Sequence, residues 1–213
     1  SITEAAKRHI SINTHEPIKD TGLRRTYPNW ISREGARGQE FNAWGSPPNP
    51  PEHTVNLVFT RMLAGPMDYT PGIFNLAWDG LDSENRVKTT LAHQLALYVV
   101  LYSPIQMAAD LPENYIANPK AFQFIKDVAV DWDDTRILLA EPGDYIATAR
   151  KAKGTGNWFI GAISDENERT IDLNFDFLEK GKTYEATFYK DAPDASWDNN
   201  PEAYVIEKKT VTM

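Results

Sequence analysis

Hydrophobic and polar positions follow two regimes along this chain. Through residue 131, short apolar runs give way to polar loops and then to apolar positions at helical spacing. The pattern predicts a helix over 3–9, a strand over 10–13 and a second strand over 30–32, followed by a long polar loop over 33–50. Pro50-Pro51-Glu52 opens a further helix, with a proline and an acid where an N-terminus favours them. Val55, Val58, Phe59, Met62 and Leu63 carry its apolar face, and Gly65-Pro66 ends it. A third short strand is expected at 67–69, a strongly apolar helix at 86–102 and another helix at 119–128. Strand, loop and helix in repetition predict βα units on a parallel sheet.

Beyond residue 131 the helical spacing stops. Six strands are expected, over 135–140, 144–149, 157–163, 170–175, 183–189 and 203–212. Turn signals such as Pro142-Gly143, Gly154-Thr155-Gly156 and Lys180-Gly181 separate them. Strands at this spacing with no helix between them predict an antiparallel β-sandwich. The chain therefore divides into an α/β part, 1–131, and a β part, 132–213. An eight-stranded (β/α)8 barrel takes ~250 residues, so the first part is long enough for only about half of one. The expectation is the C-terminal portion of such a barrel, continuing upstream of Ser1.

Composition narrows the chemistry. Thirty Asp and Glu against 22 Lys and Arg give a net charge of −8. No basic stripe is available to replace the counterions of a nucleic acid. No apolar run reaches the length of a membrane span. There is no cysteine, which excludes disulfides and thiolate chemistry. Six Trp, nine Tyr and nine Phe are a generous supply of rings, which fill cores or stack on sugars.

The carboxylates Glu16, Glu34 and Glu40 stand out by position rather than number. Each follows a short apolar run in a segment that reads as a strand feeding a loop. Acids at strand ends, near Arg and aromatic residues, are the raw material of glycoside hydrolysis and of oxygen-ligand metal sites. Inverting hydrolysis needs one carboxylic acid to protonate the leaving oxygen and one carboxylate to take a proton from water. Parallel barrel strands aim their C-terminal ends at one mouth, so Glu16 and Glu34 can meet across 18 residues, with Glu40 reaching back on its loop. His93, on an apolar helix, reads as a satisfied core residue. Arg24, Arg25, Arg33 and Arg37 read as structural ion-pair partners. Asp68, also at a strand end, reads more readily as a loop hydrogen-bonder than as a site residue.

Several stretches resemble glycoside hydrolase family 97. They are His15-Glu16-Pro17-Ile18-Lys19-Asp20-Thr21-Gly22-Leu23-Arg24-Arg25-Thr26-Tyr27-Pro28-Asn29, Ser32-Arg33-Glu34-Gly35-Ala36-Arg37-Gly38-Gln39-Glu40, Met67-Asp68-Tyr69-Thr70-Pro71-Gly72 and Leu91-Ala92-His93-Gln94-Leu95-Ala96. The likeness is greatest to the calcium-dependent, inverting α-glucosidases of starch-utilisation systems. It implies an N-terminal sandwich, a (β/α)8 barrel and a C-terminal sandwich, of which this chain is the last part. By that resemblance Glu40 is the general acid and Glu16 positions and activates water as base. Glu16, Glu34 and Glu40 ligate calcium, and His15 contacts the sugar. A further base and one calcium ligand are expected upstream. The substrate implied is an α-glucan oligosaccharide and the compartment is the periplasm. Two alternatives stay open: a retaining α-galactosidase of the same family, whose members lack the base matching Glu16, and a noncatalytic piece whose sandwich braces a barrel or binds glycan.

Overall fold

The structure is a computed structural model that describes residues 1–213. Helix α1 (Ile2–Ala6) leads into strand β1 (Ile12–Thr14), and a single turn of helix, α2 (Leu23–Thr26), leads into β2 (Trp30–Arg33). β1 and β2 pair in parallel, with Thr14 opposite Arg33. The expected third strand shrinks to one parallel bridge between Arg33 and Met67. No barrel closes within this chain: the expected barrel portion amounts to these three short parallel segments, too few to curl a sheet onto itself.

The helix after Pro50-Pro51 is α3 (Glu52–Phe59), continued as a 3-10 turn over Arg61–Ala64. Gly65, with φ +105°, ends it in a conformation that favours glycine. The long apolar helix is shorter than expected. Helix α4 spans Leu91–Val100, because Thr90 caps it by accepting a hydrogen bond from the His93 amide (3.2 Å). Arg86 lies outside that helix, buried, and donates to the carbonyls of Leu81 (3.0 Å) and Trp197 (2.7 Å). Helix α5 (Pro112–Ala117) was not anticipated, and α6 spans Pro119–Asp127. Both begin at proline.

The C-terminal portion is β-rich and antiparallel. β3 (Trp132–Glu141), β4 (Tyr145–Ala152) and β5 (Trp158–Ser164) form one sheet, and β6 (Thr183–Asp191) and β7 (Tyr204–Thr212) form another. Two such sheets are consistent with the expected sandwich. Five strands stand where six were expected. Residues 170–175 half-bury alternate side chains, Ile171, Leu173 and Phe175, as an extended chain does, yet belong to no strand. Their alternation gives burial without ladder hydrogen bonds, and a strand needs both.

Helix α4 is the common floor. Leu97, Val100 and Leu101 join Val55, Leu57, Met67 and Tyr69 on one side and Ile146 and Ile163 of the antiparallel sheet on the other, all in one buried cluster. A second cluster gathers Phe74, Leu76, Val87, Leu91, Leu95 and Tyr115, with Tyr189 and Tyr204 packed against it. Gly161 of β5 lies against α4 so closely that a Cβ there would stand 2.8 Å from the Ala96 carbonyl oxygen. Arg150 of β4 donates to the carbonyl oxygens of Val99 (2.6 Å) and Val100 (3.4 Å), satisfying the open C-terminal end of α4.

Candidate active site

Parallel register builds the site. Thr14, Arg33 and Met67 lie side by side, each at the end of its strand segment. The next residue in each segment is His15, Glu34 or Asp68. The Glu34 amide donates to the Thr14 carbonyl (2.9 Å) and the Asp68 amide to the Arg33 carbonyl (3.0 Å). Three chemically active side chains are thereby delivered to one rim.

The side chains meet there. Asp68, 1% exposed, accepts from Asn13 Nδ2 and lies 2.8 Å from His15 Nε2. His15 Nδ1 is 3.9 Å from the Glu34 carboxylate. One ligand atom each from His15, Glu34 and Glu40 falls within 4.8 Å of the others. Glu34 is buried, and its carboxylate accepts the Glu16 amide (3.2 Å). Glu16 itself has φ +47°, unusual for a residue with a Cβ, and this left-handed turn directs its amide at Glu34. Burial disfavours charging His15, but the hydrogen bond to Asp68 and the carboxylates of Glu34, Asp68 and Glu40 outweigh it and raise the imidazole pKa.

Glu40 is held from beneath. It sits in a 3-10 turn, Gln39–Ala43, whose first residue is locked twice. The Gln39 amide donates to the Tyr69 carbonyl (2.9 Å), and its side-chain amide donates to Gln94 Oε1 on α4 (2.9 Å). Gly38 has no side chain for a specific reason: a Cβ there would meet Glu34 Oε1 at 2.7 Å. Arg61 ties the backbone together, with Nε on the Glu34 carbonyl (2.8 Å) and Nη2 on those of Arg33 (2.8 Å) and Pro66 (3.1 Å). Burial, then the neighbouring Arg33 and Arg24 charges, push its pKa down to about 10.

Glu16, Glu34 and Glu40 line one cleft of about 420 Å³, together with Arg37, Phe41 and Trp44. Trp44 is 66% exposed, whereas Trp30 is buried and donates to Thr14 Oγ1 (2.9 Å). Arg24 (2.8 Å) and Arg33 (3.6 Å) pair with Asp20, away from the three Glu residues. His93 bonds the Thr54 hydroxyl (2.8 Å) behind the site. Asp68 makes the loop hydrogen bond expected of it, accepting the Thr70 amide (3.1 Å), and in addition faces His15 at the rim. Arg61 escaped the sequence reading, because its partners are carbonyls that only the fold brings together. Carboxylates crowded in a cleft, one buried and with no guanidinium or ammonium on it, can exchange protons with a bound molecule or hold a hard cation.

Comparison with known proteins agrees with this layout. The family model described as "Glycoside hydrolase 97" matches residues 1–36, and the one described as "Glycosyl-hydrolase 97 C-terminal, oligomerisation" matches residues 131–213. A glycoside hydrolase family 97 enzyme from Pseudoalteromonas sp. strain K8, solved in complex with acarbose, superposes with a TM-score of 0.95 at 63% identity over 99% of this chain. This chain belongs to glycoside hydrolase family 97. A variant of that enzyme in complex with panose matches equally well. A retaining α-galactosidase from Bacteroides thetaiotaomicron is 38% identical over 95% of the chain. The chain spans 31% of the length of that relative and 33% of the Pseudoalteromonas chain. Members of family 97 are glycoside hydrolases, and no helix here is long and apolar enough to cross a membrane.

Proposed function

We propose that this chain carries the acid, water-activating and cation-holding carboxylates of an α-glucoside hydrolase acting with inversion on starch-derived oligosaccharides. The observation that carries the reading is the meeting of His15, Glu34 and Glu40 within 4.8 Å, in a cleft that Glu16 also lines. Glu40, exposed in the cleft, donates its proton to the departing glycosidic oxygen. Glu16 takes a proton from the water that attacks the sugar from the opposite face. His15, fixed by Asp68, contacts the sugar. Support for glucose over galactose comes from the 63% identical enzyme complexed with acarbose and panose, against 38% identity to the retaining α-galactosidase. Glu16 also stands where, by family resemblance, retaining members lack a base.

The donor set suits calcium. Glu16, Glu34 and Glu40 offer hard oxygens, and the cleft offers no thiolate. The buried Glu34 carboxylate accepts one amide and has only His15, at 3.9 Å, as a basic group at ion-pair distance, so a cation would relieve its charge. When bound, the ion would supply positive charge that offsets the repulsion among the three carboxylates. In this reading residues 1–131 are the last part of a (β/α)8 barrel, and 132–213 are the C-terminal sandwich. The rest of the barrel and an N-terminal domain of the same protein complete the site, in the periplasm.

Proton NMR of the first product formed from an α-glucoside by the full-length protein tests this. The β-anomer is expected. Initial release of the α-anomer would replace inversion by the retaining α-galactosidase chemistry, and no hydrolysis of α-glucosides or α-galactosides would leave a noncatalytic role.

A further inference from the structure

A second cleft, of about 360 Å³, lies between the two antiparallel sheets and shares no residue with the acidic one. Its floor is a cross-strand row. Asp134 of β3 is opposite Lys151 of β4, and Lys151 is opposite Trp158 of β5. Residues in register across an antiparallel sheet point to the same face, ~4.7–4.9 Å apart per strand, so acid, base and indole stand side by side. Phe177 packs its ring 4.6 Å from that of Trp158 at 52°, and Tyr184 of β6 completes an aromatic wall. Asp134 is held by Arg136 (3.0 Å), and Asp133 accepts the Gly154 amide (2.8 Å). Lys151, in the centre of the row and only partly exposed, has neither a hydrogen bond nor an ion pair.

We infer that this cleft binds a neutral pyranoside oligosaccharide. Aromatic side chains present a flat apolar face with a polar handle, which matches the apolar face and hydroxyl rim of a sugar ring. The lining carries charges of both signs, Asp133, Asp134 and Glu179 with Arg136 and Lys151, which favours a ligand rich in both donors and acceptors over an ion. Binding sites of this kind combine aromatic walls with a few convergent polar groups. Lys151, centred and unpaired, is the donor placed to reach a ring hydroxyl. Nothing in this assignment depends on the chemistry of the acidic cleft.

Fluorine NMR of the whole chain labelled with 5-fluorotryptophan reads the site directly. The Trp158 resonance is assigned by its loss in Trp158→Phe. Titration with maltotriose should shift that resonance to saturation in the wild type and to the same extent in Glu40→Gln. In Lys151→Met, which keeps the stem that packs in the sheet, the apparent affinity should fall at least fivefold. Absence of a saturating shift overturns the proposal, as does an unchanged titration in Lys151→Met. Sodium acetate is the second probe: if it moves the Trp158 signal and maltotriose does not, the cleft takes carboxylates instead.

Discussion

Gly38 and Glu34 compete for the same few cubic ångströms: the volume a Cβ would occupy on Gly38 is filled by the Glu34 carboxylate, 2.7 Å away. Gly38 has φ −80°, which any residue adopts. The constraint is therefore one of space and not of backbone angle. The buried carboxylate can approach the loop carrying Glu40 only because that loop is bare at this point.

Gly38→Ala follows from this contact. Reduced entropy of the unfolded chain would favour the alanine by ~0.4–1 kcal/mol. Overpacking against a buried carboxylate costs ~1–3 kcal/mol and should win. The expected result is net destabilisation of ~1 kcal/mol in urea unfolding, with hydrolysis by the full-length protein down at least tenfold. A variant as active and as stable as wild type would mean Glu34 does not occupy that space.

Calcium should raise the thermal unfolding temperature of the full-length protein in a concentration-dependent way, because a ligand bound only by the folded state stabilises it. Zinc should do so far less, and excess chelator should abolish hydrolysis. Glu34→Gln removes the buried charge and should lose the calcium-dependent shift while folding normally. Hydrolysis that survives exhaustive chelation would remove the metal from the mechanism.

The two exposed carboxylates differ in how they should respond to the leaving group. Glu40→Gln should impair natural oligosaccharides at least a hundredfold and an activated aryl glucoside much less, since a good leaving group departs without protonation. Glu16→Gln should slow both substrates alike. Calcium binding is measured in each variant first, so that loss of the ion is not mistaken for loss of the proton. Equal losses on both substrates in calcium-loaded Glu40→Gln would contradict its role as the acid.

His93 supplies a pH dependence away from the carboxylates. Burial lowers its pKa from 6.5 to about 4, so the folded chain keeps the ring neutral. Between those values the unfolded chain takes up a proton that the folded one refuses. Stability attributable to His93 is therefore full above pH 6.5 and falls on acidification towards about 4, by at most ~1.4 kcal/mol per pH unit. Urea midpoints between pH 7 and pH 5 should fall less steeply in His93→Gln, whose amide can still meet Thr54. Parallel curves would mean that the ring charges freely in the fold.

Much of this architecture was legible in local patterns, and the exceptions have physical causes. The turn residues separated the strands after 131 correctly because glycine with positive φ, as at Gly143, Gly154 and Gly181, acts locally. Residues 170–175 misled because alternation reports which side chains are buried, whereas a strand also requires a hydrogen-bonded neighbour. The start of α4 misled in the opposite way. Arg86, Val87 and Thr89 are buried like helix residues, but the Thr90 hydroxyl fixes where the helix begins. The strand-end positions of Glu16, Glu34 and Glu40 foretold that they share one cleft, and Asp68 makes the loop hydrogen bond read for it while its contact with His15 appears only in the fold. Arg61 lay beyond reach, since its role exists only once four carbonyl oxygens have been gathered around it.

The close seating of Gly161 on α4 has a bearing on inheritance. The helix that carries Gln94, and through Gln39 steadies the turn bearing Glu40, has its other side pressed against the backbone of β5. Any side chain at position 161 would push into the Ala96 carbonyl and the Val99 and Val100 side chains. The β3-β4-β5 sheet therefore cannot be exchanged among relatives as an independent cassette. A chimera spliced near residue 131 must match α4 to its new sheet, or it transmits the misfit to the rim where the carboxylates stand.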